Sequence, residues 1–188
     1  VSFRPDLTGT KSELEDFYAS LGEIYKDTVE IIMCESMSSI FEGRNASRVA
    51  KEFSERVWLS WTNRGHQPDQ LPSTEALSKA VDFSIEADVE CTLINCSHAD
   101  MASNSIKELK RASRFGIFAN SSTFKEVDLS VATKDVDAIH HLNSEEISAK
   151  EYAMIALSWA KEGAFVVGGC CGTTVEHTRE IKLLIDSL

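Results

Sequence analysis

Apolar and polar residues occur in blocks along the chain, and the spacing within the blocks predicts strands and helices in turn. Both faces of the predicted sheet should be buried, because the strands are apolar almost throughout instead of alternately apolar and polar. A parallel sheet covered by helices has this pattern. The sequence therefore predicts an α/β protein with five strands, at Val29–Glu35, Val57–Thr62, Cys91–Cys96, Phe115–Asn120 and Ala164–Gly169.

The segments between the strands predict helices. Thr10 and Glu13 have the spacing of a capping box, and apolar residues then recur at helical spacing from Leu14 to Ile24. Gly163 is a natural stop after a helix. An irregular acidic connection precedes that helix. The later helices are predicted over residues 41–54, Ala76–Ile85, Met101–Leu109, Ile147–Trp159 and Glu176–Leu188.

Polar or reactive residues end every predicted strand. In a closed barrel these ends converge on one face, where the active site lies, whereas in an open sheet they spread along an edge. The pattern favours a (β/α)8 barrel, and no Gly-rich phosphate loop supports the alternative of a dinucleotide-binding sheet. Five strands make it incomplete, with five of eight units. The strand-end residues are Glu35, Thr62, Asn63, Asn95, Cys96, Asn120, Ser121, Cys170 and Cys171.

Composition narrows the classes of partner. The 188 residues have a formal net charge of -11, which argues against nucleic acid or an anionic membrane as the main partner. No apolar run approaches the roughly 20 residues that span a bilayer, so we expect a cytoplasmic protein. Five cysteines in a reducing compartment favour metal binding, catalysis or burial over disulfides.

Cys96, Cys170 and Cys171 are candidate metal ligands. If the third and fifth strands end on one face, their three thiols can meet, and three thiolates suit tetrahedral Zn²⁺ with one position open. Adjacent side chains of a strand point to opposite faces, so Cys170 and Cys171 can share an ion only if the chain turns at once. The glycines of the sequence GGCCGTT at 168–174 permit that turn.

Other interpretations of the same residues stay open. Free cysteine is often simply buried, and we assign that role to Cys34 and Cys91 on the helix-facing side of the sheet. The adjacent Cys170 and Cys171 would also suit a vicinal disulfide redox switch. His98 is a conceivable ligand but is predicted to be a solvated loop residue, as is the pair at 140–141.

Three strand-end residues are candidate substrate ligands. Glu35 ends an apolar strand, where barrel enzymes commonly hold a substrate amine. We expect Asn95 and Asn120, at the ends of the next strands, to contact the same small molecule.

Five strand-end motifs, in the order of the family, resemble the C-terminal part of the homocysteine S-methyltransferase family. GGCCGTT followed by EH resembles the closing zinc motif of the family, and LINCSH resembles the strand that carries the first zinc cysteine. CES, VWLSWT and FANSS resemble three further strand ends, and FRPD resembles a loop before the preceding helix. The resemblance covers nearly all 188 residues.

The resemblance implies a zinc-dependent methyl transfer to the thiol of homocysteine, which gives methionine. By the same likeness, Cys96, Cys170 and Cys171 would bind Zn²⁺, and Glu35 would bind the homocysteine ammonium. The methyl donor would be S-methylmethionine, betaine or a methylated folate, and S-methylmethionine is preferred. We expect residues 1–188 to form the C-terminal portion of one homocysteine-binding domain.

The chain departs from the family pattern at two residues and in its number of strands. Val175 stands where the family usually has proline, and Ser122 where it has glycine, both outside the metal set. Five strands leave two sheet edges unpaired, so a homo-oligomer is conceivable. The rival is a truncated, non-catalytic homologue that acts as a zinc-binding or interaction module.

Overall fold

The fold of the chain is a five-stranded parallel sheet with helices packed against it. A computed structural model describes residues 3–65, 67–124 and 144–187. The strands are β1 (Ile32–Met37), β2 (Val57–Trp61), β3 (Cys91–His98), β4 (Phe115–Asn120) and β7 (Val166–Gly169), in the spatial order β1-β2-β3-β4-β7. Every neighbouring pair is parallel. The prediction of an α/β protein with five parallel strands is confirmed.

The helices lie near the predicted places, but the single helix predicted over Met101–Leu109 is two short helices in the structure. They are α1 (Lys11–Tyr25), α2 (Ile40–Phe53), α3 (Leu77–Glu86), α4 (Ala99–Asn104), α5 (Ile106–Leu109), α6 (Ala149–Lys161) and α7 (Val175–Ile185), preceded by a 3-10 turn at Pro5–Leu7. The capping box of Thr10 and Glu13 is confirmed, and Ser148 with Glu151 forms another at the start of α6. No helix of the described residues has the length and apolarity that a membrane span requires.

The core lies between the sheet and the helices. Leu59, Ile94 and Ile117 are fully buried on successive strands, and Tyr152 and Trp159 of α6 pack against the same cluster. The Tyr152 hydroxyl is 2.8 Å from the carbonyl oxygens of both Ala119 and Gly168. This helix is therefore fixed to the ends of β4 and β7.

The first strand and the irregular connection differ from the sequence prediction, and β7 begins at Val166 instead of Ala164. The first strand begins at Ile32 instead of Val29 and continues past Glu35 to Met37. The predicted irregular connection contains a short antiparallel pair, β5 (Ser122–Phe124) with β6 (Ser144–Glu146). Three-residue strands are too short to produce a periodic pattern, which explains why the sequence did not predict them.

The ends of β1 and β3 are irregular. The register shifts between Cys34 and Met37 in the β1–β2 pair, and between Asn95 and His98 in the β3–β4 pair. Ser36 and Cys96 have positive φ angles of 58° and 51° at these bulges. Backbone strain of this kind is costly for residues other than glycine and clusters at functional sites.

Candidate metal centre

Cys96, Cys170 and Cys171 meet at the carboxyl ends of β3 and β7. The Sγ atom of Cys96 lies 2.7 Å from that of Cys170 and 3.8 Å from that of Cys171, and the latter two sulfurs are 4.0 Å apart. All three are free thiols. The sequence places Cys96 and Cys170 74 residues apart, and the parallel sheet brings them together.

The turn after β7 directs two adjacent cysteines to one place. The Cys170 backbone N–H donates to the carbonyl of Ala119, and the Cys171 N–H donates to Asn120 Oδ1 at 3.1 Å. Gly172 then takes a φ of 78°, where a Cβ atom would lie 2.5 Å from Ser121 Oγ. Only glycine fits both requirements, so the turn predicted from the glycines is present.

Cys96 reaches the cluster through its own backbone conformation. Its φ of 51° lies in the left-handed region, so the alternation of side chains along β3 is broken at this residue. Counting back from Cys96 by alternation places Cys91 on the helix-facing side of the sheet. Cys91 instead shares a face with Leu93 and Asn95, because it lies an even number of positions from both along the regular part of β3. Cys91 is buried, as is Cys34, so the expected burial of both thiols is confirmed.

The three thiols differ in pKa. A hydrogen bond from Cys96, and then backbone N–H groups, lower the pKa of Cys170 to about 6. The same bond to Cys170, together with burial, raises the pKa of Cys96. Burial and the neighbouring Cys170 raise the pKa of Cys171. Cys170 is therefore the most acidic of the three thiols.

The spacing of the sulfurs fits a zinc ion. With Zn–S bonds of about 2.3 Å, tetrahedral geometry places two ligand sulfurs about 3.8 Å apart. The distances from Cys171 to the other two sulfurs, 3.8 and 4.0 Å, have that length. Cys96 and Cys170 need to separate by about 1 Å to match it. Three protein sulfurs leave one tetrahedral position for another ligand.

The predicted substrate residues lie at the same end of the sheet but differ in exposure. Glu35 is exposed, and it directly precedes Ser36, whose backbone N–H donates a hydrogen bond to Asn95. Asn120 is half-buried and accepts the hydrogen bond from the Cys171 backbone. Asn95 is only 1% exposed and hydrogen-bonds Ser36 and Ser60.

The histidines differ from the sequence prediction. His98 is 3% exposed, and its Nδ1 lies 2.9 Å from Ser122 Oγ, so the prediction of a solvated loop residue is wrong. β3 is two residues longer than predicted, and this extension carries His98 into the buried end of the sheet. The histidine pair at 140–141 lies outside the described residues.

Sequence reasoning missed Ser36 as a functional candidate. The sequence offered one signal for Ser36. It directly follows Glu35, a predicted substrate-binding residue at the same strand end. The positive φ of Ser36 belongs to a bulge, which leaves no mark in the hydrophobic pattern.

Proteins of known family resemble this chain in sequence and in fold. The sequence profile of the family described as homocysteine S-methyltransferase matches residues 3–185. The chain belongs to the homocysteine S-methyltransferase family. A curated relative, homocysteine S-methyltransferase YbgG of Bacillus subtilis (strain 168), is 24% identical over 190 residues, which cover 99% of this chain and 56% of the relative.

Solved structures agree on the fold of this family member. The homocysteine methyltransferase MmuM from Escherichia coli in its metallated form superposes with a TM-score of 0.71 at 19% identity, covering 96% of this chain and 54% of MmuM. Its apo form gives 0.68 at 16% identity, covering 94% and 58%. The chain therefore spans about half the length of these relatives, and the five units belong to a TIM-barrel type of fold.

Proposed function

We propose that the protein transfers a methyl group to the thiol of homocysteine, giving methionine, with zinc bound by Cys96, Cys170 and Cys171. One observation carries the proposal. Three thiols from two distant strands lie within 4.0 Å of one another at the carboxyl ends of a parallel sheet. Membership of the family is the reason for proposing homocysteine as the acceptor of the methyl group.

The cysteines have a specific chemical task. Bound zinc would supply a Lewis acid that favours the thiolate form of a fourth sulfur, that of homocysteine. A free thiol has a pKa near 8.5 and is mostly protonated at neutral pH, whereas the thiolate is the nucleophile. Three cysteine thiolates give the site a net negative charge with Zn²⁺, which keeps the substrate sulfur electron-rich.

Glu35 is proposed to bind the homocysteine ammonium. Its carboxylate is exposed near the end of β1, next to Ser36, which hydrogen-bonds Asn95. An exposed carboxylate at this end of the sheet can accept charged hydrogen bonds from an amino acid. Asn120 supports the metal ligands through the Cys171 backbone N–H, and direct substrate contacts by Asn95 and Asn120 stay predictions.

S-Methylmethionine is the methyl donor we propose. The homocysteine sulfur forms a bond to the methyl carbon as the bond from that carbon to the sulfonium sulfur breaks. The departing electron pair neutralises the sulfonium, so the leaving group is a neutral thioether and needs no proton. Betaine and a methylated folate are the alternative donors. The chemistry requires orientation and an electron-rich thiolate, not a general acid.

Residues 1–188 are proposed to be the C-terminal portion of one homocysteine-binding domain. The five parallel strands form one sheet with one core, which supports a single domain. The relatives are almost twice as long, so activity should be measured on the full protein that contains this chain.

The central experiment measures methionine formation by the full protein. The protein is supplied with homocysteine and with each of the three donors in separate reactions. We expect about one zinc per chain and methionine from S-methylmethionine, with both lost in Cys96→Ser. Zinc binding without methionine from any donor would favour the non-catalytic homologue. Absence of zinc together with a readily formed Cys170–Cys171 disulfide would favour the redox switch.

Glu35→Gln tests the proposed ammonium contact. Loss of a charged hydrogen bond costs about 1.5 to 3 kcal/mol, so we expect KM for homocysteine to rise by about 10- to 100-fold, with zinc content unchanged. Glu52→Gln, an exposed carboxylate on α2, provides the matched control for loss of one charge. Equal KM values in Glu35→Gln and the control would contradict the assignment.

A further inference from the structure

β1 contains one residue more than β2 over the same length of sheet. Three steps along β1, from Cys34 to Met37, match only two steps along β2. Cys34 and Met37 both belong to the buried core, whereas regular alternation puts residues three apart on opposite faces. The surplus residue makes a β-bulge at Glu35 and Ser36, and bulges of this kind re-aim a side chain beside active sites. The bulge therefore sets the position of Glu35, the proposed ammonium ligand.

The Asn95 side chain fastens this bulge to β3. Its Oδ1 accepts hydrogen bonds from the Ser36 backbone N–H at 2.9 Å and from the Ser60 hydroxyl at 2.6 Å. Its Nδ2 donates to Ser36 Oγ at 2.8 Å. The orientation of the amide follows from these partners, because a backbone N–H can only donate and must face the oxygen. Asn95 therefore holds Ser36 at two points and joins β1, β2 and β3.

Ser36 needs this support because its backbone is strained. Its φ of 58° lies in the left-handed region, which favours glycine. Such strain persists only where the surroundings impose it. Asn95 and Ser60 are at most 1% exposed, so the loss of one partner would leave a buried polar atom unpaired. Removal of the Asn95 side chain would allow the bulge to relax.

We propose that Asn95 is a positioning residue for substrate recognition, which pins the bulge through Ser36 and holds the Glu35 carboxylate where the homocysteine ammonium binds. The inference rests on the proposed function, because it takes Glu35 as the ammonium ligand. A hydrogen bond weakens steeply with poor distance and angle, so an unpinned carboxylate loses part of its interaction with the ammonium. Asn95 is 1% exposed and exerts this effect through Ser36.

Two thiols that differ only in the amino group measure this role. 4-Sulfanylbutanoate has the carbon chain, thiol and carboxylate of homocysteine and lacks the ammonium. The affinities of the full protein, supplied with zinc, for both thiols are measured by calorimetry, which needs no turnover. We expect wild type to bind homocysteine about 10- to 100-fold more tightly than 4-sulfanylbutanoate, the value of one charged hydrogen bond. Glu35→Gln should lose this preference.

Asn95→Ala should lower the preference although Glu35 is intact. We expect homocysteine to bind about 10-fold more weakly and 4-sulfanylbutanoate to bind as in wild type. A purely structural defect would weaken the binding of both thiols alike. Asn95→Ala should lower the preference no further in the Glu35→Gln background, because both substitutions remove the same contact.

Asn63→Ala is the matched control for Asn95→Ala. Asn63 is also 1% exposed, lies two residues beyond β2, and donates from Nδ2 to the Pro68 carbonyl at 2.8 Å. None of its side-chain hydrogen bonds within the described residues reaches β1. We expect this variant to lose stability and to keep the wild-type preference for homocysteine.

Ser36→Ala provides a second test that disturbs the fold less. It removes the acceptor of Asn95 Nδ2 and keeps the hydrogen bond from the Ser36 backbone N–H. The preference for homocysteine should therefore fall, but by less than in Asn95→Ala. Ser84→Ala also removes a buried hydroxyl, which accepts from Trp61 Nε1 at 3.0 Å on α3, and should leave the preference unchanged.

The outcomes distinguish the positioning role from the proposed function. A wild-type preference in every folded variant of Asn95 and Ser36 would overturn the positioning role, as would a wild-type protein that binds the two thiols equally. A lowered preference in the Asn95 variant of a protein that forms no methionine would support the positioning role and contradict the methyl transfer. Methionine formation by a wild-type protein whose Asn95 and Ser36 variants keep the preference would do the reverse.

Discussion

The five cysteines show how burial and hydrogen bonding give one residue type two roles. Cys34 and Cys91 are buried, and desolvation raises the pKa of each to about 12. Cys170 receives a hydrogen bond from Cys96, which lowers its pKa to about 6. The ordinary pKa of a cysteine thiol is near 8.5, so the pKa of the same side chain is shifted in opposite directions at different places in this fold.

Alkylation of the zinc-free, folded protein should follow this order. Cys170 is expected to react first at pH 7.5, and its rate should fall as the pH drops through about 6, because the thiolate becomes protonated. Cys34 should stay unlabelled below about pH 12 until the protein unfolds. Iodoacetamide labelling followed by peptide mass spectrometry measures both rates. Equal labelling of Cys34 and Cys170 in the folded state would contradict the assignment.

At the scale of elements, the turn between β7 and α7 is the part of the fold that the site depends on most. It converts two adjacent residues of a strand end into two ligands on one side, which regular β structure cannot do. The Thr173 hydroxyl and backbone N–H both donate to the Cys170 carbonyl, and Ser121 N–H donates to the Cys171 carbonyl. The turn is thus held by the neighbouring strand as well as by its own bonds.

Gly172→Ala should disrupt this turn. An alanine there meets both a φ of 78° and a contact of 2.5 Å with Ser121 Oγ. We expect a loss of about 1 to 3 kcal/mol in the free energy of unfolding, measured with urea, and weaker zinc binding by chelator competition.

Gly163→Ala is the control for the backbone effect alone. Gly163 has a φ of 96° after α6, and an added Cβ would meet nothing within 4 Å. This variant should lose about 1 kcal/mol and keep its zinc affinity. If both glycine variants lost zinc equally, the geometry of the turn would not be the cause.

At the scale of the whole molecule, the described sheet has two outer strands that pair on one side only. β1 pairs with β2 and β7 pairs with β4, so the outer edge of each lacks a partner strand within the described residues. A cavity of about 290 Å³ adjoins β1, lined by apolar residues of α1 that include Phe17, Tyr18 and Leu21. Unpaired edges beside apolar surface favour association with another strand.

Residues 1–188 expressed alone should therefore self-associate. Light scattering is expected to give a mass above the 20.8 kDa of one chain. A lysine on the outer strand, Val166→Lys, should lower that mass because charge at an edge opposes strand pairing. Leu183→Lys makes the same change of charge on α7, where Leu183 is exposed, and should leave the mass unchanged. A monomeric wild-type fragment would contradict the prediction.

Most of the fold could be predicted from the sequence because each strand of the sheet is a continuous apolar run. The first and last residues of β2 and β4 lie within one residue of the prediction, and β2 ends at Trp61. Those of β1 and β3 were less accurate, because both strands continue through bulges into polar residues. The burial of His98 was missed for that reason.

The sequence by itself determined the α/β class and the three candidate thiols, since these follow from hydrophobic periodicity, glycine spacing and the chemistry of cysteine. Only the tertiary structure decided that the sulfurs lie 2.7 to 4.0 Å apart, and that Asn95 hydrogen-bonds Ser36 of another strand. The reason is physical. Contacts between strands depend on register and on local φ angles, which packing imposes and periodicity does not encode.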